Sequence, residues 1–133
     1  MRIKRSAAAA AFLAIVASGS LVAAPPAFAD SGVCNGDRSA CVEFKSYGEW
    51  WTIHDYEANS RATLVRVDLY AQGSGGYGIV DEVYWNTNGY SGPAREVNAD
   101  YSPEGWPLRY MACEGNYSTK EVFNCSGWQY DNA

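Results

Sequence analysis

Residues 62–70 carry the pattern that most restricts how this chain can fold. Apolar or β-branched residues occupy every second position: Thr63, Val65, Val67 and Leu69. The polar residues Arg66 and Asp68 fall between them. A period of two residues is typical of a β-strand that buries one face and exposes the other. A sheet built from such strands buries its apolar face by stacking on a second sheet, so an all-β chain is predicted.

The rest of the chain from residue 30 onward extends this interpretation. Strands are predicted over residues 41–45, 50–56, 62–70, 79–87, 94–98, 107–114 and 119–125. The connections between them are rich in Gly, Pro, Asn and Ser, which fix bends or accept positive φ. No helical periodicity persists over three turns. We therefore predict an antiparallel β-sandwich of about seven strands, with a jelly-roll or immunoglobulin-like topology.

The N-terminal 29 residues have the features of a secretory signal peptide. Basic residues at Arg2, Lys4 and Arg5 precede an apolar stretch, and Ala27-Phe28-Ala29 has the small-x-small form of a cleavage site. The apolar stretch is interrupted by Ser and Gly and followed by two prolines, so it is too short to span a membrane. We expect a signal peptide over 1–29, secretion, and a single domain over 30–133.

The charge balance argues against some partners. The chain has ten basic and fifteen acidic residues, and the predicted signal peptide holds three of the basic residues and none of the acidic ones. Seven basic against fifteen acidic residues then leave a net charge of −8 after cleavage. A polyanion would be repelled at long range, so nucleic acid is not expected as a partner. We expect a monomer that does not associate with membranes.

All four cysteines lie beyond the predicted cleavage site. In an oxidising compartment they are expected to form two disulfides, and their spacings match no zinc signature. Four cysteines allow three connectivities. We favour Cys34–Cys41 with Cys113–Cys125, because each pair then closes a short segment at one end of the domain. Oxidised cysteines supply no nucleophile.

Aromatic residues are abundant, with five Trp and ten Tyr. Rings on a rigid β scaffold can stack on sugars or anchor a protein partner, although an all-β core also consumes many rings. Trp51, Trp85 and Trp128 are interpreted as packing residues. Neighbours in a strand point to opposite faces, so one of Trp50 and Trp51 must leave the core. The predicted ligand-binding surface consists of Trp50, Tyr84, Tyr90, Tyr101 and Trp106.

No catalytic residue, cofactor or metal site is predicted. The single histidine, His54, cannot form a hydrolase-type pair with Asp55, because adjacent strand residues face opposite ways. Oxygen-bearing residues at 55, 57 and 59 begin like a calcium loop, but Ser60 and Arg66 stand where the motif needs glycine and a carboxylate. A glycosidase-type carboxylate pair stays open, and its candidates are Asp81, Glu82, Glu43 and Glu96.

Several segments resemble a family of small, uncharacterised secreted proteins of actinomycete bacteria. They are Cys41-Val-Glu-Phe-Lys-Ser-Tyr-Gly-Glu, Ala58-Asn59-Ser60-Arg61-Ala62, Leu108-Arg-Tyr-Met-Ala-Cys113 and Phe123-Asn-Cys-Ser-Gly-Trp128. The resemblance implies a secreted β-rich fold and no particular activity. The chain also resembles the small actinomycete proteinaceous α-amylase inhibitors, which present a Trp-Arg-Tyr triplet. Here Leu108 precedes Arg109-Tyr110, and Trp106 stands two positions earlier.

These observations lead to two functional hypotheses. The first is a non-catalytic extracellular binding module whose aromatic surface docks a polysaccharide or a protein. The alternative is an inhibitor of a secreted hydrolase such as an amylase or a protease, with which the small size and the disulfides are compatible. An enzyme has the least support, since the sequence offers one histidine and no nucleophile motif.

Overall fold

The fold is known from a computed structural model that describes residues 30–71, 73 and 75–133. The predicted signal peptide lies outside the described residues. Within them the chain is all-β, as predicted, and no residue is assigned to a helix. None of the described segments is a helix long and apolar enough to cross a membrane.

Nine strands are described between Ser31 and Asn132. They are β1 (Ser31–Cys34), β2 (Ala40–Lys45), β3 (Trp50–Asp55), β4 (Ala62–Ala71), β5 (Gly76–Asn86), β6 (Arg95–Asn98), β7 (Pro107–Asn116), β8 (Glu121–Phe123) and β9 (Gln129–Asn132). The seven predicted strands are present with shifted ends. The prediction of about seven missed β1 and β9, which are four residues long and carry no clear alternation of apolar and polar residues.

The strands form two antiparallel sheets. The first has the order β1-β2-β3-β6, and the second has the order β5-β4-β7 with both β8 and β9 paired to β7. Turns with positive φ connect them; Gly48, for example, has a φ of 79° in the turn between β2 and β3. Consecutive strands β1, β2 and β3 are neighbours in the first sheet. β6 also belongs to this sheet, although β4 and β5, which precede it in the chain, belong to the second.

One core cluster contains residues from both sheets. The first sheet contributes Val42, Phe44, Trp51 and Ile53, and the second contributes Val65, Val67, Leu69, Leu108, Tyr110 and Ala112. The alternation predicted in 62–70 is therefore correct for the core side, because Val65, Val67 and Leu69 reach this shared core. The other side of β4 is not simply exposed, since Leu64 and Asp68 on it are also buried. Trp51 lies between Phe44 and Tyr110, with ring centroids at 4.2 and 4.8 Å. Such aromatic contacts stabilise the core beyond the burial of area alone.

The two predicted disulfides are both present. Cys34–Cys41 joins directly opposed residues of β1 and β2, and Cys113–Cys125 ties β7 to the segment that follows β8. Cys113 is fully buried in a smaller cluster with Leu64 and Trp85 on the outer side of the second sheet. Both bridges are consistent with an extracellular protein.

Candidate functional site

The five rings predicted to form a binding surface do not form one exposed patch. Trp50 is 41% exposed and lies on the outer face of the first sheet, while the neighbouring Trp51 is 0% exposed, as the strand geometry predicts. Tyr90 is 58% exposed and lies beside Asp55, at the opposite end of β3 from Trp50. These two rings therefore belong to separate surfaces.

Tyr84 and Tyr101 point inward, and this corrects the expectation that both are exposed. Tyr101 is 6% exposed, and its hydroxyl accepts a hydrogen bond from Trp51 Nε1 at 3.0 Å and donates one to Glu82 at 3.1 Å. Tyr84 donates to the same carboxylate oxygen at 2.7 Å. Burial, followed by the hydrogen bond to Glu82, raises the pKa of Tyr84 to about 12. The hydrogen bonds compensate both tyrosine hydroxyl groups for the contact with water that they lose inside the protein.

Trp106 is half-buried against the core, and its indole N–H donates to the carbonyl of Tyr70 at 2.6 Å. Trp85 leaves the shared core instead, because it lies on the outer side of β5 with Leu64 and Cys113. The sequence alternation correctly placed Tyr84 and Trp85 on opposite faces, but the two faces were assigned the wrong way round. Tyr117 and Lys120 cover Trp85 there, so its outward face is also buried.

A continuous arrangement of rings and charges covers the outer face of the second sheet. We call it the arginine–aromatic face, and it consists of Arg66, Asp68, Tyr70, Tyr77, Asp81, Arg109, Trp128 and Tyr130. The strand register builds it, since Asp81, Asp68, Arg109 and Tyr130 are direct partners in one row across β5, β4, β7 and β9. Side chains in one row of a sheet lie on the same face and interact across the strands.

Two arginines on this face are held by carboxylates. Arg109 donates from Nε and Nη2 to Asp68 Oδ2, at 3.1 and 2.9 Å, and Asp68 is nearly inaccessible to solvent. Arg66 makes a two-point contact with Asp81, and this pair is exposed. Paired guanidinium and carboxylate groups fix each other's geometry and leave further donors and acceptors available at the surface.

Aromatic rings stack on the more buried of these two pairs, Arg109–Asp68. The guanidinium of Arg109 lies 4.1 Å from the centre of the Trp128 ring and 4.8 Å from that of Tyr77. Tyr77 also makes edge contacts with Tyr70 and with Tyr130, and Tyr130 is 57% exposed. Trp128 packs against Arg109 and belongs to neither described core cluster. Its ring instead covers a charged group at the surface.

The buried Glu114 and the partly buried Asp55 lie at one end of the space between the sheets. Glu114 accepts hydrogen bonds from Asn59 and Asn124 at 2.5 and 2.6 Å and pairs with Arg61 at 3.3 Å. Burial opposes its charge, but these partners together hold its pKa below the usual value. Burial and then the nearby charge of Glu114 raise the pKa of Asp55. Glu114 is 1% exposed beneath its partners, which closes it to a substrate and gives it a structural role.

Three of the four carboxylates considered for glycoside hydrolysis, Asp81, Glu82 and Glu43, are bonded to other side chains. Asp81 pairs with Arg66, and Glu82 accepts the two tyrosine hydroxyls. Glu43 and Glu96 both oppose Thr52 in the strand register, so they share the outer face of the first sheet at about 10 Å, two strand spacings. Both are exposed, and Glu43 pairs with His54 at 3.0 Å.

His54 lines a shallow depression of about 860 Å³ with Arg38, Tyr56 and the Cys34–Cys41 bridge. Its ring stacks on Tyr56 at 5.3 Å. Cys41 is its register partner but is held in the disulfide, so it supplies no thiolate to the imidazole. The contacts of His54 are those of a sheet surface residue.

The partial calcium motif forms a hydrogen-bonded loop. Asp55 accepts from the backbone N–H of Glu57, and Asn59 accepts from that of Arg61 while donating to Glu114. One oxygen of Asp55 and the amide oxygen of Asn59 therefore serve the turn of the chain itself. Among the described residues, no group of three or more His, Cys, Asp or Glu side chains is placed to hold a metal ion.

Comparison with known proteins adds no assignment to this geometry. No protein-family model matches the sequence, and no match was found among curated proteins or solved structures. The structure does bear on the segment that resembles the α-amylase inhibitors. Leu108 and Tyr110 are fully buried and Arg109 is bonded to Asp68, so this segment presents no exposed ring–arginine–ring triplet.

Proposed function

We propose that this protein is a secreted, non-catalytic binding module that holds an extracellular polysaccharide on its arginine–aromatic face. The observation that carries the proposal is the stack of Trp128, Arg109 and Tyr77 above the buried Asp68, with the exposed Tyr130 at its side. This arrangement holds rings rigidly at the surface, and rigid rings give contact area at low entropic cost.

The polar groups on the same face favour a sugar over an apolar ligand. Arg66 and Asp81 are each about two-fifths exposed, so both donors and acceptors are available beside the rings. Sugar rings combine apolar C–H faces with hydroxyl groups that donate and accept hydrogen bonds. A surface of rings interleaved with paired charges matches both properties.

The residues around the arginine–aromatic face support a binding role more than catalysis or inhibition of a hydrolase. Four described carboxylates have shifted pKa values, and none belongs to this face. Asp55 and Glu114 lie at one end of the space between the sheets, and Asp37 and Glu49 lie in the turns that follow β1 and β2. An inhibitor of a secreted hydrolase is the alternative proposal. The small size and the disulfides are compatible with it, but the burial of Leu108 and Tyr110 leaves no exposed triplet like that of the α-amylase inhibitors.

The proposal extends to the packing of the two sheets and to export of the protein. We infer that the two sheets pack as a β-sandwich of jelly-roll or immunoglobulin-like type, and the support is the core that both sheets share. We also infer export through the N-terminal signal peptide. The cleavage pattern at Ala27-Phe28-Ala29 and the two disulfides support it.

Retention on insoluble polysaccharides tests the proposal. The purified protein is incubated with chitin, cellulose, starch and bacterial cell-wall glycans, and the bound fraction is measured. We expect retention on at least one of them, and we expect Trp128→Ala to reduce it about tenfold or more. Trp50→Ala is the matched control, because it removes an exposed Trp from the outer face of the other sheet.

Each outcome of this experiment is informative. Retention that Trp128→Ala abolishes and Trp50→Ala leaves intact supports the assignment of the face. If Trp50→Ala or Tyr90→Ala loses retention and Trp128→Ala does not, the polymer binds at the rings predicted from the sequence and not at the arginine–aromatic face. No retention on any polymer, together with inhibition of a secreted amylase or protease, would overturn the proposal in favour of the inhibitor.

A further inference from the structure

A second group of rings lies on the same side of the second sheet as the arginine–aromatic face. Trp85 and Tyr117 meet edge to face with ring centroids at 5.6 Å, and Lys120 Nζ lies 3.1 Å from the centre of the Tyr117 ring. Tyr117 is exposed to solvent. We call this pair of rings with Lys120 the upper ring cluster.

The backbone brings the upper ring cluster into place through a glycine. Gly115 of β7 lies under Trp85, and a Cβ at this position would stand 2.7 Å from an atom of the indole ring. The missing side chain therefore lets the ring lie flat across β7, and Tyr117 follows in the turn that leads to β8. The position of the Trp85 ring is therefore set by the sheet, and Tyr117 contacts it from the turn.

The two ring groups are aligned along the strand direction. Trp85 is the register partner of Leu64 on β4, and the row of Arg109 and Tyr130 is centred on Asp68 of the same strand. Four residues of a strand separate the two rows, which corresponds to about 13 Å. The row between them consists of Val83, Arg66 and Met111, of which Val83 is exposed.

The charges on this strip restrict the chemistry of the ligand. Both arginines are already paired, Arg66 with Asp81 and Arg109 with Asp68, so neither is left free to attract an anionic group. The remaining cation of the two ring groups, Lys120, lies against the rings of Tyr117 and Trp85. The chain as a whole carries a net charge of −5, which repels polyanions at long range. An uncharged ligand with many hydroxyl groups fits this surface better than an acidic one.

We propose, building on the binding function above, that the ligand is a linear neutral polysaccharide that runs along β4 and β7 and contacts both ring groups at once. The arginine–aromatic face holds one stretch of the polymer, and the upper ring cluster holds another about 13 Å away. Contact at two linked points then makes affinity depend on the length of the ligand.

Calorimetric titration with chito-, cello- and malto-oligosaccharides of two to six units tests this inference. In the series that matches the retained polymer, affinity is expected to rise with length until the ligand spans both ring groups and then to level off. Tyr117→Ala should lower the affinity for the longest oligosaccharide roughly threefold to tenfold and leave that for the shortest unchanged.

The controls separate the upper ring cluster from general damage. Tyr117→Phe keeps the ring and should retain wild-type affinity for the longest ligand. Tyr56→Ala removes a ring of similar exposure from the first sheet and should have no effect. Unchanged thermal unfolding of each variant shows that the fold is intact.

Failure of this inference differs from failure of the proposed function. If a polymer is retained but the disaccharide binds as tightly as the hexasaccharide, or Tyr117→Ala leaves long-chain affinity intact, the ligand occupies a single ring group and the inference is wrong. If retention of the polymer falls steeply with added salt, the retained polymer is bound through charge and the inference is also wrong. If no polysaccharide or oligosaccharide binds, the proposed function itself fails.

Discussion

The guanidinium of Arg109 is held between the ring of Trp128, 4.1 Å away, and the buried carboxylate of Asp68, whose Oδ2 accepts two of its hydrogen bonds. One side chain therefore neutralises a charge below the surface and supports a ring at the surface. This relationship links the stability of the second sheet to the site proposed on it.

Removal of Arg109 should strongly destabilise the fold. Arg109→Ala leaves Asp68 buried without its cation, which is expected to lower the free energy of unfolding by about 3–5 kcal/mol. Arg66→Ala is the control, because its pair with Asp81 is exposed and contributes at most about 1 kcal/mol. Urea denaturation measures both. The double variant Arg109→Ala/Asp68→Ala should be more stable than Arg109→Ala; if it is not, the buried charge is not the cause.

Acid should weaken the cluster around Glu114. Its pKa is lowered in the folded protein, so the stabilisation is complete above the unfolded value of 4.5 and is lost as pH falls through the lower folded value. Glu114→Gln should lower the free energy of unfolding by roughly 1–3 kcal/mol at neutral pH, since an amide cannot serve Asn59, Asn124 and Arg61 together.

Thermal unfolding of Glu114→Gln and the wild type between pH 2 and pH 7 measures this effect. The two proteins should converge as the wild-type carboxylate becomes protonated. A difference that stays constant over the whole range would mean that the charge of Glu114 makes no contribution.

The loop at Glu49 should respond to pH in the opposite direction. Burial and then the neighbouring Glu104 raise the pKa of Glu49, so its ionisation costs stability as pH rises from 4.5 through the folded value. Glu49→Gln should therefore be at least as stable as the wild type at neutral pH and lose this advantage below about pH 4.5. Guanidinium denaturation at the two pH values measures the difference. A variant that is less stable at neutral pH would contradict this sign.

Gly115 should not accept a side chain. In Gly115→Ala the new methyl group would meet the carbonyl oxygen of Glu121 at 2.5 Å as well as the Trp85 ring, which is expected to cost about 1–3 kcal/mol. Gly36→Ala is the control, because no atom lies within 4 Å of the corresponding Cβ. The midpoint of thermal unfolding should fall for the first variant and stay near the wild-type value for the second. Equal midpoints would show that β7, β8 and Trp85 move apart without cost.

The two disulfides should contribute unequally to stability. Each is expected to add about 2–4 kcal/mol by restricting the unfolded chain. Cys113–Cys125 spans twelve residues and Cys34–Cys41 spans seven, so the first should contribute about 0.5 kcal/mol more by loop entropy. Urea denaturation of the paired Cys→Ser variants measures this. A larger loss on removal of Cys34–Cys41 would contradict the loop-entropy account.

The sequence predicted local geometry better than it predicted the site. Alternation identified the core side of β4 and separated Trp50 from Trp51, because those properties depend on residues within one strand. It could not tell which side of β5 faces the first sheet, since both Tyr84 and Trp85 are apolar rings and both sides of that strand are covered. Tyr101 was misplaced because its buried partners, Trp51 and Glu82, are distant in sequence.

The arginine–aromatic face is a product of register that no local pattern reveals. Arg109 reaches Asp68 and Tyr130 only because β7 is paired with β4 on one side and β9 on the other. Trp128 lies outside any strand, and its stacking on Arg109 follows from the path of the chain after the Cys113–Cys125 bridge. The site can be recognised only when the pairing of the strands is known.

The most direct measurement of the central claim is the set of five tryptophan indole N–H signals in a two-dimensional NMR titration with the longest oligosaccharide that binds. We expect the Trp128 signal to shift until saturation, while those of Trp50 on the other sheet and of Trp51 in the core stay in place. A Trp50 signal that shifts while that of Trp128 does not would contradict the account and place the ligand on the opposite side of the molecule.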